Sequence, residues 1–202
     1  MSTSRLESFS DGVIAVAITL LVLDLIVPQH ARHLADALGH RWPAYAAYAI
    51  SFITIGIIWI NHHAMIGRLR EADHSILALN LMLLLSIGAL PFATALMAAY
   101  LRVGHGQHLA AAVYGGAFLL MSILFVTLNH HTLFRKPHLL TAQLSEARRR
   151  EILHRGIAGV GPYVIATALA PLSAYATIVI CAAVAAYYAL PIATGGADSA
   201  LP

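Results

Sequence analysis

Charge is what this chain has least of. Only 10% of its 202 residues are Asp, Glu, Lys or Arg, against roughly 25% in an ordinary soluble domain, so there is too little ionised surface to coat a globule in water. Cysteine is almost absent. The lone Cys181 rules out an internal disulfide and a thiolate-rich metal centre, and its place inside an apolar run reads as a small buried hydrophobe. The scattered serines and threonines show no arrangement of nucleophile, base and orienting group, so an intramembrane hydrolase finds no support and no enzymatic activity is expected.

Apolar residues make up 59% of the chain, and they come in runs. A helix needs about 20 residues to cross a hydrocarbon core about 30 Å thick, and about six such spans with short loops use nearly the whole length. The first is expected from Gly12 to Val27, extensible toward Phe9 and stopped by Pro28. Asp11 at its start, with Arg5 the only basic residue ahead of it and no clear small-x-small cleavage site behind it, makes it a retained span rather than a signal peptide. The polar connection from Gln29 to Arg41 has no room for a folded domain. The second span runs from about Trp42 to His63, with Trp42, Tyr45 and Tyr48 suited to the membrane-water interface. The third covers about Ser75 to Leu101, kinked by Pro91, and leads into a glycine-containing turn from Val103 to Gln107. The fourth covers about Leu109 to His131, where Gly115 and Gly116 allow close helix approach. A basic connection, residues 132–155, follows, in which Ser145 to Glu151 suits a short surface helix. The apolar run from Gly156 to Leu190 exceeds one span, so Pro171 and Ser173 mark a turn between two short ones. Residues 193–202 are expected to be a flexible tail on a single membrane domain spanning residues 1–202.

Basic residues set the orientation. With an internal N-terminus, Arg5, Arg68, Arg70, Arg135, Lys136, Arg148, Arg149, Arg150 and Arg155 face inward, against Arg32, Arg41 and Arg102 outside. Six spans then put both termini in the cytoplasm of a cell-membrane protein. The net charge of +3 is spread over loops rather than along one face, which argues against a nucleic-acid partner.

At 100° per residue, Gly12, Val16, Thr19, Leu20, Leu23 and Val27 share one side of the first span, with Asp11 pointing away. Around a symmetry axis this uncharged stripe would make apolar rings at Val16 and Leu23 with a hydroxyl ring at Thr19 between them. The same periodicity also serves residues that face lipid or other helices. Just upstream, Arg5, Glu7, Ser8, Ser10 and Asp11 precede the apolar run, where exposed N–H groups welcome a carboxylate. Capping accounts for Ser10 or Asp11 but leaves Arg5 and Phe9 unexplained. Asp24, near the outer end, suits either cation attraction or a solvated helix end. The pairs His62-His63 and His130-His131 fall near internal ends of spans and invite a metal-transporter alternative. Adjacent histidines point about 100° apart on a helix, and neither cysteine nor clustered carboxylates complete a site, so no metal site is expected. A hydrogen-bonded network of His62 and His63 with Trp59 and Asp11 is the structural reading. The loop residues His30, His33, His105 and His108 are expected to be solvated.

The run Arg5-x-x-x-Phe9-Ser10-Asp11-Gly12-Val13, continuing through Ala15-Val16-Ala17-Ile18-Thr19-Leu20-Leu21-Val22-Leu23, resembles the opening helix of the bacterial and lysosomal potassium channel family called transmembrane protein 175. The resemblance continues in Trp59-x-Asn61-His62-His63 and in Asn80 through Pro91-Phe92-x-Thr94, and fades after about Tyr100. It implies an all-α integral membrane protein whose first helix lines a central pore in a homotetramer and passes potassium passively, with no cofactor and the lipid bilayer as its surroundings. It also implies an apolar constriction at Val16, a hydroxyl layer at Thr19 and a further apolar ring at Leu23. Arg5, Phe9, Ser10, Asp11, Trp59, Asn61, His62 and His63 become a structural motif network that anchors the first span, Asp11 through His62 or His63. Family members usually carry isoleucine or leucine where this chain has Val16, which implies a wider constriction. A Thr-Val-Gly-Tyr-Gly filter is absent, so a carbonyl-lined filter is unavailable and selectivity among monovalent cations is expected to be modest.

Overall fold

The structure, a computed structural model, describes residues 3–28 and 33–190. His30, Arg32 and the tail of residues 193–202 lie outside the described residues. Helix α1 spans Thr3–Leu20 and tightens into a 3-10 turn at Leu21–Asp24. It begins well before Gly12, because Leu6, Ser10, Ile14, Ala17 and Leu21 recur at intervals of three and four and give the segment one continuous buried side. The expected cap at Ser10 or Asp11 is therefore replaced by two residues inside a helix.

A short α2, Leu34–His40, buries none of its residues, which fits a connection without a domain of its own. Helix α3 covers Trp42–Ile66 with Pro43 in its first turn, where no N–H is needed. The third span is two helices: α4, His74–Gly88, and α5, Leu90–Tyr100, parted at Ala89 because Pro91 cannot donate into the preceding turn. Gly104 and Gly106 take φ of +81° and +77° in the turn that follows, a conformation that favours glycine. Helix α6, Gln107–His130, runs on through a π turn, His131–Arg135. Helix α7 covers Glu146–Leu169 and absorbs the expected surface helix as its first turns, Ser145 accepting a hydrogen bond from the Arg148 N–H. Helix α8, Ala174–Ala189, starts from a Ser173 cap after the turn expected at Pro171.

Among the described residues, five helical segments are long and apolar enough to cross a membrane: Thr3–Asp24, Trp42–Ile66, His74–Tyr100, Gln107–Arg135 and Glu146–Leu169. The 16-residue α8 is shorter, about 24 Å at about 1.5 Å per residue. The described fold is thus all-helical in its regular elements, with five full-length spans and one short apolar helix where six spans are expected.

Helix α6 is the hub, packed against α4, α5, α7 and α8. Its close contact with α7 and α8 depends on Gly115, where a Cβ would meet Thr167 Oγ1 at 3.0 Å and Thr177 Cγ2 at 3.3 Å, whereas one at Gly116 would meet nothing within 4 Å. A hydroxyl ladder fixes α3, α5 and α6: Thr94 donates to the Leu90 carbonyl, so Ser51 donates to Thr94 at 2.8 Å and accepts from Tyr114 at 3.2 Å. At the basic end, Arg70 N–H donates to the Leu139 carbonyl and Thr141 N–H to the Arg68 carbonyl, both at 2.8 Å, lacing the α3–α4 and α6–α7 connections together. Asp73 caps α4 and pairs with Lys136 at 2.8 Å, and these contacts hold its carboxyl below the usual value of 3.8.

Candidate functional site

Helix α1 lies at one edge of the bundle, against α3, α4 and part of α5. Its inner side is clasped by a buried polar chain. Ser10 Oγ donates to the Leu6 carbonyl at 2.8 Å and accepts from Asn80 Nδ2 at 3.0 Å, and Asn80 Oδ1 faces His62 Nε2 at 2.7 Å. Because an amide oxygen only accepts, His62 carries its proton on Nε2, and Nδ1 is left buried without a hydrogen-bond partner. Ser10, His62 and Asn80 are all fully buried.

A second set of contacts is less buried. Trp59 Nε1 donates to Asp11 Oδ1 at 2.9 Å, and His63 Nδ1 sits 2.7 Å from Glu7 Oε1. These contacts are wired differently from the expected network. Asp11 meets Trp59 rather than either histidine, His62 turns inward to Asn80, and His63 takes Glu7. Asn61 bonds within its own helix, to the Ile57 carbonyl. Arg5 and Phe9 lie on the exposed side of α1, outside the clasp. Glu7 and Asn80 were missed as network members; their partners sit far away in sequence, and only the one-turn spacing of Glu7 and Asp11 gave a local signal.

The expectation that no carboxylates join the histidines is overturned. Glu7, Asp11 and His63 each present a ligand atom within 4.8 Å of the others. The carboxylates come from α1 and the imidazole from α3, so the group exists only once those helices pack.

The opposite side of α1 is uncovered. Gly12 and Thr19 are exposed, Val16 is 57% exposed and Leu23 70%. Thr19 donates its hydroxyl proton to the Val16 carbonyl at 2.8 Å, which leaves the oxygen lone pairs free to accept a cation. Leu23 stands on the 3-10 turn and Val27 beyond it, so the stripe drawn at 100° per residue stops being helical after Leu20. Asp24 ends that turn half-buried.

The chain is similar to known proteins. The family described as endosomal/lysosomal potassium channel TMEM175 matches residues 5–91. A potassium channel of Streptomyces collinus is 40% identical over 188 residues, covering 92% of this chain and 91% of that protein. A potassium channel of Chamaesiphon minutus is 38% identical over 194 residues, covering 93% and 94%. The crystal structure of a lysosomal potassium-selective channel TMEM175 homolog from Chamaesiphon minutus superposes with a TM-score of 0.81 at 36% identity, covering 93% of this chain and 96% of that one. Likeness thus extends well past Tyr100, where the motif resemblance fades, and into α6, α7 and α8. With relatives this similar along almost its entire length, the chain is a membrane protein that belongs to the TMEM175 family of ion channels.

Proposed function

We propose that this chain is one subunit of a potassium-permeable channel, conducting passively through a pore lined by α1 from each of four copies in the cell membrane. The single observation that carries the reading is the two-sidedness of α1: one side is clasped by Ser10, Asn80 and His62, while the other leaves Gly12, Val16, Thr19 and Leu23 uncovered. The names of the full-length relatives, both potassium channels, support the choice of ion.

In this reading, stripped cations find no oxygen ligand at the Val16 and Leu23 rings, which favours closure by dewetting. The Thr19 layer supplies oxygens in place of lost hydration water. Because its hydroxyl proton is already engaged by the Val16 carbonyl, Thr19 offers an acceptor rather than a donor. The excess of basic residues in the connections between α3 and α4 and between α6 and α7 supports cytoplasmic termini, with α8 as the sixth, short crossing.

The test is ion flux into liposomes holding the purified protein, under potassium, sodium and zinc gradients. Wild type is expected to pass potassium without saturation; Thr19→Ala should lower the potassium-to-sodium ratio, and Val16→Ala should raise the basal flux. Asp11→Ala should impair assembly or gating instead of selectivity. Normal flux and selectivity in all three variants would remove α1 from the pore. Saturable zinc uptake with no monovalent flux would favour the metal-transporter alternative.

A further inference from the structure

The group formed by Glu7, Asp11 and His63 has the make-up of a metal site and no other task that uses all three residues. Glu7 and Asp11 stand one turn apart on α1, and His63, near the end of α3, reaches them across the helix contact with Nδ1 2.7 Å from Glu7 Oε1. Two carboxylates against one imidazole leave a negative charge even if the histidine is protonated. Trp59 offsets none of it, since it gives Asp11 only a neutral N–H, to one of two oxygens. That bond does orient the carboxylate, as outer hydrogen bonds do for metal ligands. The His63 side chain is 60% exposed and that of Glu7 29%, so an ion can enter from water.

We infer that Glu7, Asp11 and His63 bind a divalent transition metal of the zinc type, which ties the pore-side helix α1 to its support α3. One nitrogen and two oxygens, with remaining positions open to water, match the mixed N/O sites that suit Zn2+, Co2+ and Mn2+. Ca2+ takes about six to eight oxygens and Mg2+ keeps several waters, so both bind a three-ligand site with an imidazole poorly. Metal–ligand bonds of about 2.0–2.2 Å in a tetrahedral site put ligand atoms about 3–3.5 Å apart, so a bound ion would part His63 Nδ1 from Glu7 Oε1, now at 2.7 Å, and draw together the remaining atoms of a group that lies within 4.8 Å. The bound ion would hold the base of α1 in the position seen. A consequence for conduction rests on the function proposed above; the site itself does not.

The experiment starts with metal-free, full-length protein in detergent, titrated with Zn2+ against a chelating dye and with Co2+ by visible absorption. One Zn2+ per subunit is expected, with affinity lowered at least tenfold in Glu7→Gln and in His63→Gln, unchanged in His138→Gln, and not competed by Mg2+ or Ca2+ at equal concentration. Equal affinity in wild type, Glu7→Gln and His63→Gln would overturn the proposal, and so would an equal loss in His138→Gln. If Gln variants elute differently from wild type, His63→Cys decides: it keeps a ligand and should retain Zn2+ binding, while loss of binding in a wild-type-like elution peak would count against the site. In liposomes, Zn2+ on the cytoplasmic side should reduce wild-type potassium flux and spare Glu7→Gln relative to its own metal-free rate. Absence of flux in every protein would refute the channel reading alone, because the titrations do not use conduction.

Discussion

Replacing Asn80 by alanine tests the clasp where it is most exposed to failure. The side chain is fully buried, accepts from His62 Nε2 at 2.7 Å and donates to Ser10 Oγ at 3.0 Å. Asn80→Ala strands the His62 N–H, and a buried donor without an acceptor costs about 1–3 kcal/mol. His62 has no second route to relief, because its Nδ1 already lacks a partner. Ser10 loses less, since it still donates to the Leu6 carbonyl; interhelical hydrogen bonds in membranes average about 0.6 kcal/mol and reach about 1.7. Together these give about 2–5 kcal/mol. Reversible unfolding in mixed detergent and SDS micelles measures the loss, and a cycle with Ser10→Ala isolates the Ser10–Asn80 coupling, expected near 0.6 kcal/mol or above. A change below about 0.5 kcal/mol for Asn80→Ala, the range of an ordinary surface substitution, would refute the clasp as the anchor of α1.

The two glycines of α6 make a matched pair: Gly115→Ala, whose Cβ would press on Thr167 at 3.0 Å, should cost about 1–3 kcal/mol as an overpacked contact, whereas Gly116→Ala, open within 4 Å, should be neutral or stabilise by about 0.5–1 kcal/mol. Asp73 predicts an acid dependence. Its folded pKa lies below the usual 3.8, so the stability it adds is complete above that value and is lost as pH falls through the folded pKa. The gap between wild type and Asp73→Asn, about 0.2–1 kcal/mol for a partly exposed pair, should be constant above the ordinary carboxylate range and close below it, as followed by unfolding at stepped pH.

The spans were legible because their signal is local. Pro91 divides α4 from α5, and Pro171 with Ser173 sets the turn before α8, by chemistry that one or two residues carry. The start of α1 was not legible from hydropathy. Arg5, Glu7, Ser8 and Asp11 look like a polar lead-in, yet they are helical because Leu6 and Ser10 continue the buried side of Ile14 and Ala17. The partner of Ser10 was hidden by distance, Asn80 being 70 residues on. The stripe of Val16 and Thr19 was readable from its period, while the metal-ligand group was not, since no sequence spacing joins Glu7 to His63.

The hydrogen bond between Ser10 and Asn80, 70 residues apart in sequence, also sets an order for biosynthesis. Helix α1 leaves the ribosome before α3 and α4, so Glu7, Ser10 and Asp11 emerge before their partners on those helices exist. Trp59, His62 and His63 arrive with α3, and Asn80 only with α4. At about 5–20 residues per second, α1 waits roughly 4–14 s for that last contact. A nascent chain released or stalled before Asn80 emerges would hold a first helix that is inserted but unclasped, and membrane quality control could recognise it by its unpaired polar side.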